Sequence, residues 1–146
     1  VPKTSAKHVI QLPAQTPYYF FSDFGLSNGA RLLDKKKYAE AVIVFQDVLA
    51  RNSRNIDALA GLGAAYLGLN ETKQAGDYIR KALARDNKHI GANYLYGLYY
   101  LETDEMDQAM DQSILLDMLC GQKYSCPEAA SLRGRINAHT RNPTDQ

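Results

Sequence analysis

No stretch of this sequence stays apolar for more than a few residues, far short of the ~20 that a membrane-crossing helix needs. Neither charge is in surplus: 17 lysines and arginines stand against 16 aspartates and glutamates, for a net charge of +1. The chain therefore lacks the basic footprint of a nucleic-acid-binding domain, and it has no acidic solvating tail. Histidine is scarce, and His8, His89 and His139 form no ligand spacing with the only two cysteines, so no metal site is expected. There is no glycine-rich loop to cradle a phosphate and no Ser/His/Asp grouping. Neither a cofactor nor catalysis is expected. Asp104, Glu105, Asp107 and Asp111 cluster without the turn glycine of a calcium loop, and they read as a solvated helix face. Lys35, Lys36 and Lys37 read as a solvated turn.

What the chain has instead is a period. Gly29, Gly63 and Gly97 stand 34 residues apart, and Ala41, Ala75 and Ala109 keep the same interval. A fixed period of this size marks stacked supersecondary units. In register, the units are 22–55, 56–89 and 90–123. In the second unit, Leu59, Leu62, Gly63 and Tyr66 fall on one helical face. A turn at Gly68-Leu69-Asn70 follows, then a second face with Ala75, Ile79 and Leu83. Two amphipathic helices per period make a helical hairpin, and small residues let its helix axes approach closely.

Leu62-Gly63-x-x-Tyr66…Ala75-x-x-x-Ile79 resembles the tetratricopeptide repeat family, three times in phase. The resemblance implies an all-α, right-handed superhelix of three hairpins closed by a C-terminal capping helix. The sequence departs from the family where an aromatic is common, with Gly25, Leu59 and Asn93, and where proline is usual, with Ser53, Asn87 and Gly121. Serine and asparagine can end or cap a helix there, and glycine suits a left-handed helix stop.

Outside the repeats, residues 1–15 lack helical periodicity and read as an extended or mobile arm. A single repeat domain is expected over 16–139, with Thr16 as N-cap and Pro17 as first helical residue. Tyr18, Tyr19, Phe20, Phe21 and Phe24 then either cap the open end of the first repeat or form a dimer or partner interface. Ser125 and Glu128 form a capping box for a helix over 126–139, whose apolar stripe is Ala129, Leu132 and Ile136. Residues 140–146 are expected to fray. A chain that starts at Val1 fits either a removed signal peptide or a shortened chain.

Cys120 and Cys126 flank the turn before the capping helix. As a disulfide they would pin that helix to the array, stabilise it by roughly 2 kcal/mol, and imply a periplasmic or secreted protein. Two reduced, buried thiols in a cytoplasmic protein are the other reading, while the spacing of a redox-active CxxC pair is absent. The segment from Leu119 through Cys126-Pro127-Glu128 to Leu132 also resembles the end of small exported bacterial repeat proteins.

The family resemblance further implies a concave face lined by the first helix of each unit. Mapped here, it comprises Asp23, Leu26, Ser27, Ala30, Leu33 and Asp34, then Asp57, Ala60, Gly61, Ala64, Leu67 and Gly68, then Gly91, Tyr94, Leu95, Leu98, Leu101 and Glu102. None is Lys, Arg or Asn, which the family's carboxylate clamp requires. The partner-binding residues expected are Leu26, Ala30, Leu33, Ala60, Gly61, Ala64, Leu67, Tyr94, Leu98 and Leu101, with the small ones admitting a partner helix or extended segment. The role that follows is a non-enzymatic adaptor for a protein or peptide, in assembly or localisation of a bacterial envelope or secretion complex. Residues 8–17 could instead fill the groove. A cytosolic chaperone of the type III secretion kind stays open, as does a self-assembling module or homodimer formed through the aromatic N-terminal end.

Overall fold

The computed structural model describes residues 17–121 and 126–141, with side chains from Gly25 onward. The expected arm 1–15, the Thr16 cap, the side chains of Tyr18 to Phe24, Ser125 of the capping box and residues 142–146 lie outside the described residues. Seven helices and no strand occur within them: α1 (Pro17–Asp34), α2 (Tyr38–Arg51), α3 (Ile56–Gly68), α4 (Thr72–Arg85), α5 (Ile90–Glu102), α6 (Met106–Cys120) and α7 (Pro127–Arg141). Each helix packs on the next, and α1, α3, α5 and α7 also pack in succession, so the chain is an all-α helical repeat. Thr140 and Arg141, expected to fray, are the last residues of α7.

The hairpins close because glycine leaves room for a neighbour's side chain. A Cβ on Gly29 would overlap the ring of Phe45 from α2, and one on Gly63 would overlap Ile79 from α4. The Phe45 ring also occupies the space beside Gly61, so it is clamped between α1 and α3. Sixteen residues after Gly97 the equivalent side chain is Ser113, too small to fill the gap. There Leu132 of α7 covers Gly97 instead. The capping helix is thereby part of the core, with Ala129, Leu132 and Ile136 buried against α5 and α6.

Turn chemistry repeats with the same period. Lys37 donates its backbone N–H to the carbonyl of Leu32 at 2.8 Å, Glu71 to Tyr66 at 2.9 Å and Glu105 to Tyr100 at 2.7 Å. Lys36, Asn70 and Asp104 sit one residue earlier, each with φ 59°. This pairing of bonds with a left-handed residue is the Schellman stop, normally a glycine position. Between hairpins, Asn52 and Asp86 accept bonds from Arg54 N–H at 3.1 Å and Lys88 N–H at 2.9 Å. Asn55 then caps α3 through Ala58 N–H at 2.9 Å, and His89 caps α5 through Ala92 N–H at 3.0 Å. The side-chain caps are thus Asn55 and His89, not Ser53 and Asn87. Because His89 accepts at Nδ1, its proton lies on Nε2, which donates to Asp57 Oδ1 at 2.8 Å.

Asn93, where the family often has an aromatic, is buried for a polar reason. Its Nδ2 donates to the carbonyls of Asn87 and His89, each at 2.9 Å, and so ties the junction down. The third junction is built differently. α3, α5 and α7 start at Ile56, Ile90 and Pro127, steps of 34 and then 37, so three residues are inserted. Gly121 follows α6 with φ 75°, and Cys120 is bonded to Cys126 across the insertion with a Cα separation of 5.6 Å.

Two outcomes test this packing. Gly61→Ala should cost about 1–3 kcal/mol in chemical denaturation, and adding Phe45→Leu should recover part of that loss. An unchanged midpoint in Gly61→Ala would show that Phe45 yields freely. Lys36→Gly should raise stability by about 1 kcal/mol, since a left-handed Lys carries a steric penalty that glycine lacks. A drop in its melting temperature would contradict the assigned turn.

Candidate functional site

The first helices of the hairpins carry two connected clefts on their shared face. One, of about 300 Å³, is walled by Leu26, Ala30 and Leu33 of α1 and floored by Phe45, Ala60, Gly61 and Ala64. The other, of about 680 Å³, runs over Ala64, Leu67, Leu95, Leu98 and Leu101 to α7. Ala64 and Leu95 line both, which makes one continuous groove across α1, α3, α5 and α7. Its interior is mostly apolar, because the amphipathic stripe of each first helix is too wide for its own hairpin to cover.

Nine of the ten residues expected at a partner-binding face border this groove. The tenth, Tyr94, does not. Its ring packs against the core beneath α7, and its hydroxyl bonds the Ser131 hydroxyl at 2.9 Å. Tyr94 therefore anchors α7. Ala60 is only 6% exposed and the space beside Gly61 is held by Phe45, so close backbone approach at these small residues is made by the protein's own packing. Leu26, Ala30 and Leu33 at one end, Ala64 in the middle, and Leu67, Leu98 and Leu101 at the other end are the expected side chains left for contact.

Five lining residues escape a reading based on the first helices of the three units, among them Phe45 of α2, which floors the smaller cleft. Tyr38 comes from α2 and lies over Gly68, while Arg135, Ala138 and His139 come from α7. Arg135 and His139 bring a polar rim to the wide end, opposite Glu102. His139 also meets Asp104 at 3.3 Å. For Arg135, Ala138 and His139 the sequence signal is the neighbouring apolar stripe of α7, Ala129, Leu132 and Ile136, which seats that helix against the array.

A family model described as anaphase-promoting complex, cyclosome, subunit 3 matches residues 34–112, a little over half of the chain. The chain belongs to this family of tetratricopeptide-type repeats. No curated protein matches it. Among solved structures, the tetratricopeptide domain of Sgt2 from Aspergillus fumigatus has a TM-score of 0.71 at 19% identity, covering 91% of this chain and 85% of that one. The type III secretion chaperone SycD of Yersinia enterocolitica, in complex with a peptide of the translocator YopD, gives 0.65 at 20% identity over 82% and 88%. The second such domain of human RPAP3, in complex with the HSP70 peptide SGPTIEEVD, gives 0.63 at 17% identity over 77% and 92%. At these identities the likeness is one of fold.

Among the described residues, no cluster of three His, Cys, Asp or Glu side chains could hold a metal ion, and no helix is long and apolar enough to cross a membrane. Among the described residues outside the groove, tyrosines gather on α5 beside α4. There Tyr96, Tyr99 and Tyr100 pack together with ring centroids 4.5–5.7 Å apart, and Arg80 lies 5.8 Å over Tyr99. Tyr66 stacks on Tyr78 at 5.5 Å. Burial raises the phenols of Tyr100 and Tyr66 above the ordinary 10.0, and the adjoining Tyr96 and Tyr78 respectively add to the rise.

A phenol that ionises later in the folded state contributes its full stability below pH 10 and loses it as pH rises past that value, because there the unfolded chain binds fewer protons. The urea midpoint should accordingly hold to about pH 9 and fall by about pH 11. Tyr66→Phe and Tyr100→Phe should flatten that fall; a midpoint of wild type that is level over the range would contradict the burial argument.

Proposed function

We propose that the chain is a non-enzymatic adaptor that holds a partner's peptide segment in the groove across α1, α3, α5 and α7. The observation that carries this reading is the continuity of the groove. Two apolar clefts share Ala64 and Leu95, and together they reach from α1 to α7. Burying the partner's apolar side chains against Leu33, Leu67, Leu98 and Leu101 supplies the affinity, while the rim of Glu102, Arg135 and His139 orients the segment. That SycD and RPAP3 domains of the same fold are seen with bound peptides supports the assignment.

The adaptor is proposed to work in an oxidising compartment of the bacterial envelope, in assembly or localisation of a larger complex. The bond between Cys120 and Cys126 supports this placement, since cytoplasmic thiols are normally kept reduced. The likeness to SycD favours a second reading, a secretion chaperone of the cytoplasm, which requires both thiols free. Trapping free thiols in intact cells separates the two.

Affinity capture from native extract tests the groove. Ala30→Arg, at an exposed wall position, and Leu98→Arg each place a charge in it, and circular dichroism checks that both variants fold. A partner retained by wild type should be lost, or weakened at least tenfold (about 1.4 kcal/mol), in both variants. Identical partners on all three proteins would remove the concave face from consideration.

A further inference from the structure

Helix α7 continues the series of first helices that carries the groove. Counted from their starts at Ile56, Ile90 and Pro127, the third residues of α3, α5 and α7 are Ala58, Ala92 and Ala129, all fully buried. The eighth residues are Gly63, Gly97 and Gly134. α7 therefore keeps the register of α3 and α5 despite the residues inserted before it. In that register the groove lining falls into rows that run from one first helix to the next. The ninth residues are Ala64, Leu98 and Arg135, and the twelfth are Leu67, Leu101 and Ala138. Ala30 and Leu33, the ninth and twelfth residues of the first unit, wall the narrow cleft.

The ninth-residue row thus runs through Ala30, Ala64 and Leu98 and ends on a guanidinium. The other cations of α7 beside it are paired, Arg133 with Asp117 and His139 with Asp104. Arg135 is exposed and has no carboxylate partner among the described residues. Glu102 lines the same cleft but belongs to the thirteenth-residue row, with Gly68 and His139, and forms no ion pair with Arg135. A segment laid over Leu98, Leu101 and Ala138 would exclude water from a charge pair at its end, which strengthens that pair. The planar fork of a guanidinium matches a carboxylate in particular. Residues 8–17 of the chain itself cannot supply one, because no aspartate or glutamate occurs between Val1 and Ser22.

We propose, on the footing that the groove holds a partner's segment, that this segment is apolar with an aspartate or glutamate at its α7 end, and that Arg135 selects it by that side-chain carboxylate. The apolar rows supply most of the affinity and tolerate many sequences. Arg135 fixes the direction in which the segment lies and rejects one that brings a lysine or arginine to the same place.

The probes are peptides selected from a random phage-displayed library on the full chain, then synthesised with a fluorophore and an amidated C-terminus, so that side chains are their only carboxylates. The selected sequences are expected to combine apolar residues with an aspartate or glutamate at a shared spacing. In fluorescence anisotropy, changing that residue to its amide should weaken binding about threefold, as an exposed ion pair does, and flatten the salt dependence. Arg135→Glu, which turns attraction into repulsion, should weaken binding about tenfold or more, and a lysine in place of the peptide's acid should restore it. Circular dichroism checks that each variant folds. Failure to select any peptide, or binding that survives both Ala30→Arg and Leu98→Arg, would overturn the groove reading and the role of Arg135 with it. Groove binding that is indifferent to Arg135→Glu and to the peptide's acid would overturn the role of Arg135 alone. So would a synthetic peptide of residues 8–17 that binds as tightly as the selected ones, or a dimer in sedimentation that Ala30→Arg abolishes, since the groove would then belong to the chain itself or to a second copy.

Discussion

Everything in this array depends on how close one helix comes to the next, and that distance is set by side chains seated over glycines. Phe45 lies between Gly29 and Gly61, Ile79 over Gly63 and Leu132 over Gly97. In each case one helix gives up volume and another supplies it, so the axes approach while the interior stays filled. The first helices consequently stand side by side at a constant offset, and the groove is the surface they leave. A bulkier residue at Gly61 would push α1 and α3 apart and disturb both a hairpin and the wall of a cleft. Packing and the groove share residues here, which is why Ala60 and Gly61 belong to the floor of the groove more than to its exposed surface.

The hairpins are legible in residue spacing because the packing contacts are themselves periodic. Gly29, Gly63, Ala41, Ala75, Phe45 and Ile79 stand where a repeating unit requires them, and α3 and α5 begin at equivalent residues 34 apart. Details hidden from the sequence are those in which unlike residues meet the same demand. Lys36, Asn70 and Asp104 share a left-handed turn, although none is glycine. Asn55 and His89 share an N-cap, although imidazole is a rarer acceptor than an amide. A pattern of residue types cannot show this, because the backbone asks only for a tolerated φ or for an acceptor at the right distance.

The groove was legible to a similar degree and for a similar reason. Its aliphatic walls follow from the apolar stripes of α1, α3 and α5. Tyr94 stands outside the clefts although its position in the unit is equivalent to the groove-lining Ala60, because in the last unit the next helix is α7. That helix brings Ser131 within reach of the hydroxyl, and the ring turns to packing. Tyr38, Arg135 and His139 were missed because they come from helices outside the set that a repeat register assigns to the concave face.

The last unit differs from the others in several coordinated ways, and these are best understood together. Ser113 replaces a large side chain, which leaves a gap over Gly97, and Leu132 reaches back to fill it. For Leu132 to do so, α7 must begin at a fixed height, although three extra residues precede it. A flexible insertion would allow many starting points for α7. The bond from Cys120 to Cys126 spans a separation of only 6 residues and removes that freedom, stabilising the unit by roughly 2 kcal/mol through the unfolded chain. The disulfide and Leu132 thus solve one problem from two sides, the first limiting where α7 can start and the second rewarding the one position in which Gly97 is covered.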